Sequence, residues 1–365
     1  MIVIFFISAF LLVLFGSNYF IYYSLVNFFN ILNPHARTTL LFCVLFPPIA
    51  FIALSILLNY YDFYFLKKLY IIDSVILGMV VSFLVFIVSG WIIICLFKIA
   101  GIELNRRILG SVLVFLALAW SAYGIWNADN LTTKHITVPI KNLPESWKNK
   151  TAVQISDTHL GVIHGKPFMQ NIVDKINAVN PDIIFITGDL FDGMGDDLKD
   201  SVKPLGELNP PDGAYFITGN HETYLGIDKA REALKNTRIK FMRDEIINIG
   251  GMQIVGINYP LRGFSKDIAP ILKNINPGLP GILLYHEPVN IELARKAGVN
   301  LQLSGHTHAG QLFPIGYISN LIYKGFGYGL HTIGNYSIYT TSGAGTWGPP
   351  MRTGNRPEIV EISFE

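Results

Sequence analysis

The chain has 365 residues, enough for one large domain or two ordinary ones, with a hydrophobic fraction of 51% and a mean hydropathy of +0.40, high for a wholly soluble protein. A net charge of +2, with no basic run beyond short pairs, gives no electrostatic footprint for nucleic acid. The only cysteines, Cys43 and Cys95, fall in the apolar N-terminal part, so the rest of the chain has neither a disulfide nor a thiolate metal site, and a metal there must be held by His, Asp, Glu and Asn.

Residues 1–126 are almost free of charge, and nearly all Asp and Glu lie beyond them. This predicts a transmembrane region of four helices, at 2–23, 38–58, 74–97 and 108–126, each close to the roughly 20 apolar residues that span a bilayer. The first run lacks a basic leader and further runs follow it, which favours a retained span over a cleaved signal peptide. Pro47-Pro48 is expected to kink the second. Tyr60, Tyr61, Tyr64, Tyr70 and Trp126 sit at the ends of runs, as interfacial aromatics do.

Four spans put both ends of the region on one side. Arg37, Lys98, Arg106 and Arg107 lie in the first and third connections, against Lys67 and Lys68 in the second and Lys134 beyond the fourth span. The positive-inside rule then puts Arg106-Arg107 in the cytoplasm and the C-terminal domain on the extracytoplasmic side of the cell membrane. Asn105-Arg106-Arg107 and the apolar run after it also resemble a twin-arginine export leader. An ordinary arginine anchor below a span fits as well, and both orient the domain outward.

Residues 127–150 are polar and read as a linker with an edge strand at 135–140; the domain proper is 151–365. Short apolar runs at 152–155, 183–187, 215–218, 281–285, 301–304, 336–340 and 358–363 predict strands. Helical spacing predicts helices at 168–179, 228–235 and 290–296. The runs at 246–249 and 252–257 flank Gly250-Gly251 and predict a hairpin. Alternating strands and helices argue for α/β layers, and the hairpin and strand-only C-terminus for a mixed sheet or two packed sheets.

The polar residues that follow these strands form a series. Ser156-Asp157-Thr158-His159 comes after the first, Gly188-Asp189 after the second, and Gly219-Asn220-His221-Glu222 after the third. His286 follows 281–285, and Gly305-His306-Thr307-His308 follows 301–304. In α/β sheets ligands bind outside the carboxyl ends of strands, and here five strands each deliver a metal-competent group to that edge. Carboxylate, imidazole and one amide oxygen, without sulfur, suit Mn, Fe, Zn or Co. Seven such groups exceed the needs of one ion but suit two ions sharing a carboxylate. Two ions about 3.5–4 Å apart generate hydroxide near neutral pH and hold the attacking and leaving oxygens of an in-line displacement. Phosphate esters are the substrates for which that arrangement makes sense.

The ordered blocks D-x-H, GD, GNH[D/E], H and GH-x-H resemble those of the calcineurin-like metallophosphoesterase superfamily, and the tail from Gly343 to Arg352 with Arg356-Pro357-Glu358 resembles its membrane-anchored or exported bacterial branch. The resemblance covers about residues 150–365. It implies a four-layer α/β/β/α sandwich, preceded here by the four-helix transmembrane region. It also implies two divalent metal ions, one on Asp157, His159 and His308, the other on Asn220, His286 and His306, with Asp189 bridging. His221 would contact the substrate phosphate and protonate the leaving oxygen. Glu222, beside it, would orient it or meet substrate, and Arg352 would bring a cation to the anion, unless it serves a surface ion pair.

His164 and His331 lie outside the blocks and read as surface or supporting histidines; Thr187 and Ser304 read as satisfying backbone groups. Asp192 follows Asp189 closely enough to steady a ligand histidine.

The expected activity is hydrolysis of a phosphoester at the membrane, with a lipid-linked or envelope phosphoester or pyrophosphate as the favoured substrate. Similar proteins include UDP-2,3-diacylglucosamine hydrolases, which act at the cytoplasmic face, opposite to the orientation derived above. A general phosphomonoesterase or nucleotide phosphodiesterase merely anchored by the spans is the alternative. A non-catalytic membrane sensor with a metal site is a third, against which His221 argues. Neither metal identity nor oligomeric state can be read from the chain.

Overall fold

The computed structural model describes residues 2–193, 198–260 and 266–365, with backbone only for residues 2–7. The chain divides into two units, one comprising 1–126 with 348–353, the other 127–347 with 354–365.

The first unit is built on α1 (Ile2–Phe29), α2 (Pro34–Leu57), α3 (Tyr64–Ile99) and α4 (Arg106–Ala128). All four are long and apolar enough to cross a membrane. Their outward faces carry side chains such as Phe42, Phe115 and Ile99, which are 64%, 69% and 79% exposed. Facing water, these would forfeit the hydrophobic stabilisation that lipid supplies, and the chain is membrane-associated. Inside the bundle Ile21, Phe28, Ile87 and Leu113 pack together, and the Trp91 indole N–H donates to Ser24 Oγ at 2.9 Å.

The helix ends have local causes. Asn33 Oδ1 accepts the N–H groups of His35 and Ala36, with Pro34 opening α2. Asn105 Oδ1 accepts from Arg107 and Ile108, so the residue before the arginine pair is a helix cap. Helix α3 begins ten residues before the expected span (Tyr64 against 74) and reaches 36 residues, about 54 Å at ~1.5 Å per residue. Lys67, Lys68 and Asp73 interrupt its apolar run without interrupting its backbone. They therefore lie in the helix and not in a connection. Residues 348–353 are the one part of the C-terminal stretch built into this unit: Arg352 N–H donates to Gly124 O at 2.8 Å, and a Cβ on Gly124 would overlap Met351 and Thr353.

The second unit contains two six-stranded sheets. The strands are β1 (Thr132–Val138), β2 (Thr151–Ile155), β3 (Ile183–Ile186), β4 (Ala214–Phe216), β5 (Ile239–Phe241), β6 (Glu245–Ile249), β7 (Met252–Ile257), β8 (Gly281–Tyr285), β9 (Leu301–Ser304), β10 (Gly329–Ile333), β11 (Tyr336–Thr340) and β12 (Glu358–Phe364). The first sheet runs β1-β12-β2-β3-β4-β5, the second β10-β11-β9-β8-β7-β6. Strands β2 to β5 are parallel, as are β7, β8, β9 and β11, and the expected hairpin is β6–β7.

Side-chain alternation along the strands makes the layers. On β3, Ile183 and Phe185 join a core with Ile254, Ile282, Leu284 and Leu303 of the other sheet, while Ile184 and Ile186 face Ile172, Val173 and Ile176 of α5 (Lys166–Val179). On β8, Leu283 and Tyr285 turn the other way, onto Ala294 of the helix Ile291–Lys296. The result is the expected α/β/β/α sandwich. Strands β5 and β10 and the helix Ile315–Ile322 were not expected; β5 is only three residues long, and the other two begin at or beside glycine or proline.

Candidate metal centre

The parallel strands of both sheets end at one edge, and the turns beyond β2, β3, β4, β8 and β9 carry the motif residues. These turns are strained. Asp157, His159, Asp189, His306 and His308 have φ of 54°, 49°, 49°, 72° and 50°. Left-handed backbone costs a non-glycine residue free energy, and such residues gather where geometry serves function. Close approach is required too. A Cβ on Gly305 would overlap the Asp157 carboxylate, and one on Gly219 the Asp189 carboxylate.

Asp157, His159 and His308 each offer a ligand atom within 4.8 Å of the others, as do Asp189, His286 and His306, and His159, Asp189 and His221. His159 Nε2 and His308 Nε2 are 3.0 Å apart, and His308 Nε2 is 3.5 Å from Asp157 Oδ1. Across the site His306 Nδ1 lies 2.9 Å from Asn220 Oδ1 and 3.3 Å from His286 Nε2. Asp189 stands between the groups: its Oδ2 is 3.1 Å from His286 Nε2 and 3.9 Å from His159 Nε2, and its Oδ1 accepts the His221 backbone N–H at 2.9 Å.

Hydrogen bonds behind the site fix which ring nitrogens face it. A carbonyl only accepts, so His286 Nδ1–H donates to Thr187 O at 2.7 Å and turns Nε2 toward the site. By the same reasoning His221 Nδ1–H donates to Asp192 O at 2.7 Å, leaving Nε2 as the nitrogen for proton transfer. The Asp192 carboxylate stands 3.4 Å from His159 Nδ1.

Electrostatics in this buried pocket are dominated by burial and by the acid–imidazole pairs. Burial pushes Asp189 up, but the His286, His159 and His221 imidazoles outweigh it and hold the carboxyl below the usual carboxylate range. Burial pushes His286 down, yet Asp189 and Asp157 bring it up to about 10. Burial, then the charge on His286, takes His306 down to about 3. Two imidazole nitrogens 3.0 Å apart, beside buried carboxylates, fit a divalent cation's ligand set.

Not every expected residue joins this group. Glu222 is fully buried, and its two oxygens accept the N–H groups of Asp189 (3.0 Å), Phe191 (3.0 Å) and Gly219 (2.7 Å). This corrects the expectation that it meets substrate: it ties the β3 turn to the β4 turn from behind. Burial, with Asp189 near it, pushes its carboxyl up to about 7. Arg352 is buried, and its backbone groups with the helical unit. His164 is also buried, not superficial; its Nε2 accepts the Thr346 N–H at 3.1 Å, and its ring stacks on Phe168. Sequence reasoning missed Glu287, whose Oε1 is 3.4 Å from His306 Nε2. A carboxylate directly after a ligand histidine was the available signal. It missed as well the aromatic surround of Tyr224 and Trp347 near His221, and of Tyr259 and Tyr323 near His306.

Two strained, imidazole-rich groups joined by one aspartate at the edge of a double-sheet sandwich define a metallophosphoesterase domain, and residues 150–310 match the calcineurin-like phosphoesterase family model. The chain belongs to that family. It is 31% identical to an uncharacterised metallophosphoesterase of Aquifex aeolicus over 69% of its own length and 98% of that protein's. It is 34% identical to a Danio rerio transmembrane protein with metallophosphoesterase domain, over 70% of this chain and 62% of that one. An uncharacterised metallophosphoesterase of Campylobacter jejuni is 34% identical over 64% of this chain and 63% of its own. The chain thus spans somewhat under two thirds of several of the curated relatives it matches.

Proposed function

We propose that this chain is a membrane-bound, two-metal phosphoric ester hydrolase acting on a lipid-linked or envelope phosphoester or pyrophosphate, with its catalytic domain on the extracytoplasmic side of the cell membrane. The observation that carries the two-metal reading is Asp189, whose Oδ2 lies between the His159 and His286 nitrogens. Asp157, His159 and His308 would hold one ion, Asn220, His286 and His306 the other, and Asp189 would be shared. Divalent ions of the Mn, Fe, Zn or Co kind bring the pKa of water from ~15.7 toward ~7, supplying a nucleophile for in-line attack at phosphorus, and neutralise phosphoryl charge.

The chain's own residues do the rest. His221, with Nδ1–H committed to Asp192 O, presents Nε2 to the phosphate; as the imidazolium it gives the Nε2 proton to the leaving oxygen and is left as neutral imidazole. Glu222 fixes the separation of the two turns that carry Asp189 and Asn220. Burial of the ligand carboxylates and imidazoles keeps bulk water from competing with the ester. The four spans keep the domain at the bilayer, where a lipid-linked ester is concentrated. The greater number of Arg and Lys in the first and third connections supports the orientation.

The test is initial rate for the full chain in detergent with Mn added, on p-nitrophenyl phosphate, bis-p-nitrophenyl phosphate and UDP-diacylglucosamine. Asp189→Ala is the control. Turnover of the lipid substrate well above the small esters is expected. Equal turnover of the small esters only would replace the lipid reading with a general phosphatase or phosphodiesterase. No turnover, unchanged by Asp189→Ala, would end the hydrolase reading.

A further inference from the structure

A helix on a water-soluble domain buries an apolar stripe. The helix Ile315–Ile322 does the reverse: none of its residues is buried, and Tyr317, Ile318, Leu321 and Ile322 are 74%, 57%, 80% and 65% exposed. It is fastened to the metal edge. A Cβ on Gly310 would overlap the backbone of Gly316, Thr307 Oγ1 donates to Gly327 O at 2.6 Å, and the Tyr323 ring centroid is 6.1 Å from that of His306. Clefts flank it on two sides. One, of about 590 Å³, lies between Val289, Leu293, Ile322 and Phe326; the other, of about 420 Å³, is lined by Phe313, Pro314 and Tyr317.

We propose that the helix Ile315–Ile322 is an interfacial helix: it enters the headgroup layer of the phospholipid bilayer that the four spans occupy, so that a lipid-linked phosphoester reaches the metal edge from the membrane. The substrate half of this inference rests on the lipid reading above; the position of the helix does not. Three observations choose lipid as the occupant. The bilayer is tethered to every copy of the domain by α4. The same C-terminal stretch returns to the helical unit at 348–353, directly after Trp347, which is 59% exposed with its ring 6.3 Å from that of His221. The helix carries no charged residue, Tyr317 lies in it, and Tyr323, Lys324 and Tyr328 follow it, while Glu292 lines one of the flanking clefts. A helix with exposed aliphatics and a tyrosine, no charged residue of its own and a lysine just after it suits anionic headgroups over an acyl boundary.

The experiment uses the full chain with Cys43→Ser and Cys95→Ser, carrying Leu321→Cys labelled with an environment-sensitive nitrobenzoxadiazole dye. It is reconstituted at one chain per nanodisc of phosphatidylcholine and phosphatidylglycerol. A label at Lys235→Cys, an exposed position of the same domain, is the reference. The dye at 321 is expected to shift to the blue and to be quenched by lipids with a nitroxide high on the acyl chain, while the dye at 235 is not. Equal behaviour of the two labels overturns the proposal. So does a blue shift at 321 without lipid quenching, which would mean that protein covers the helix. In the unlabelled chain, Ile318→Glu with Leu321→Glu is expected to lower hydrolysis of bilayer-embedded substrate roughly tenfold or more while small-ester hydrolysis stays within about twofold. Lipid quenching at 321 without hydrolysis of any ester would leave the docking intact and refute the hydrolase reading.

Discussion

Leu12 and Phe115 in the helical region are 76% and 69% exposed; Asp189 in the metallophosphoesterase domain is 2% exposed. The spans are specified by composition over some twenty residues at a time, because lipid asks only that the surface be apolar and the backbone internally bonded. The proposed metal centre is specified atom by atom: left-handed backbone at the proposed ligands, turns in which a Cβ does not fit, and ring nitrogens aimed by carbonyls. The same chain is therefore expected to tolerate change over its first third and very little at its strand ends.

The largest effect should come from the shared carboxylate. Asp189→Ala is expected to lower kcat/KM by roughly a thousandfold or more, since it removes the charge common to both donor groups, worth several kcal/mol. Small-ester kinetics check this, and a loss under tenfold would break the contrast. Gly305→Ala should follow, at about a hundredfold, because the new methyl displaces Asp157 or Ser156 by a fraction of an ångström to an ångström. Circular dichroism should show the fold retained. Asp192→Asn leaves every proposed ligand in place and removes the carboxylate behind His159; metal affinity should fall about 10–100-fold by titration calorimetry, with the His221 bond to the Asp192 carbonyl kept.

A pH experiment sharpens the electrostatic side. In the metal-free protein His286 is held up to about 10, above its ordinary 6.5. Its contribution to stability is then fully present below pH 6.5 and is lost as pH rises through about 10. The thermal midpoint of metal-free protein should fall between pH 7 and 10. Metal uptake at pH 7 should release a proton into weak buffer, and affinity should rise with pH across that window. The smallest effect belongs to the helical region. Phe115→Leu should change neither small-ester activity nor, beyond about 0.5 kcal/mol, stability.

What could be read from the sequence follows the same division. The spans were legible because charge is nearly absent from them, but the start of α3 was not, since Lys67, Lys68 and Asp73 look like a connection to a hydropathy window and are ordinary helix residues to the backbone. The residues of the metal-capable groups were legible because they follow apolar strands. Glu222 was misjudged because adjacency to His221 says nothing of direction: one helical residue on, the side chain points back to the β3 turn. The place of Arg352 depends on a six-residue excursion into the helical unit that no local pattern marks. The helix Ile315–Ile322 was hidden because its apolar residues start between Pro314 and Gly316, which read as a loop.

The most direct test of the central claim is metal content per chain, measured by elemental mass spectrometry on full-length protein purified with Mn and freed of loose ions, for the native sequence and for Asp189→Ala. The two-group site joined by Asp189 predicts close to two ions per chain, falling to one or fewer in the variant. One ion per chain in both proteins, or none in either, would contradict it.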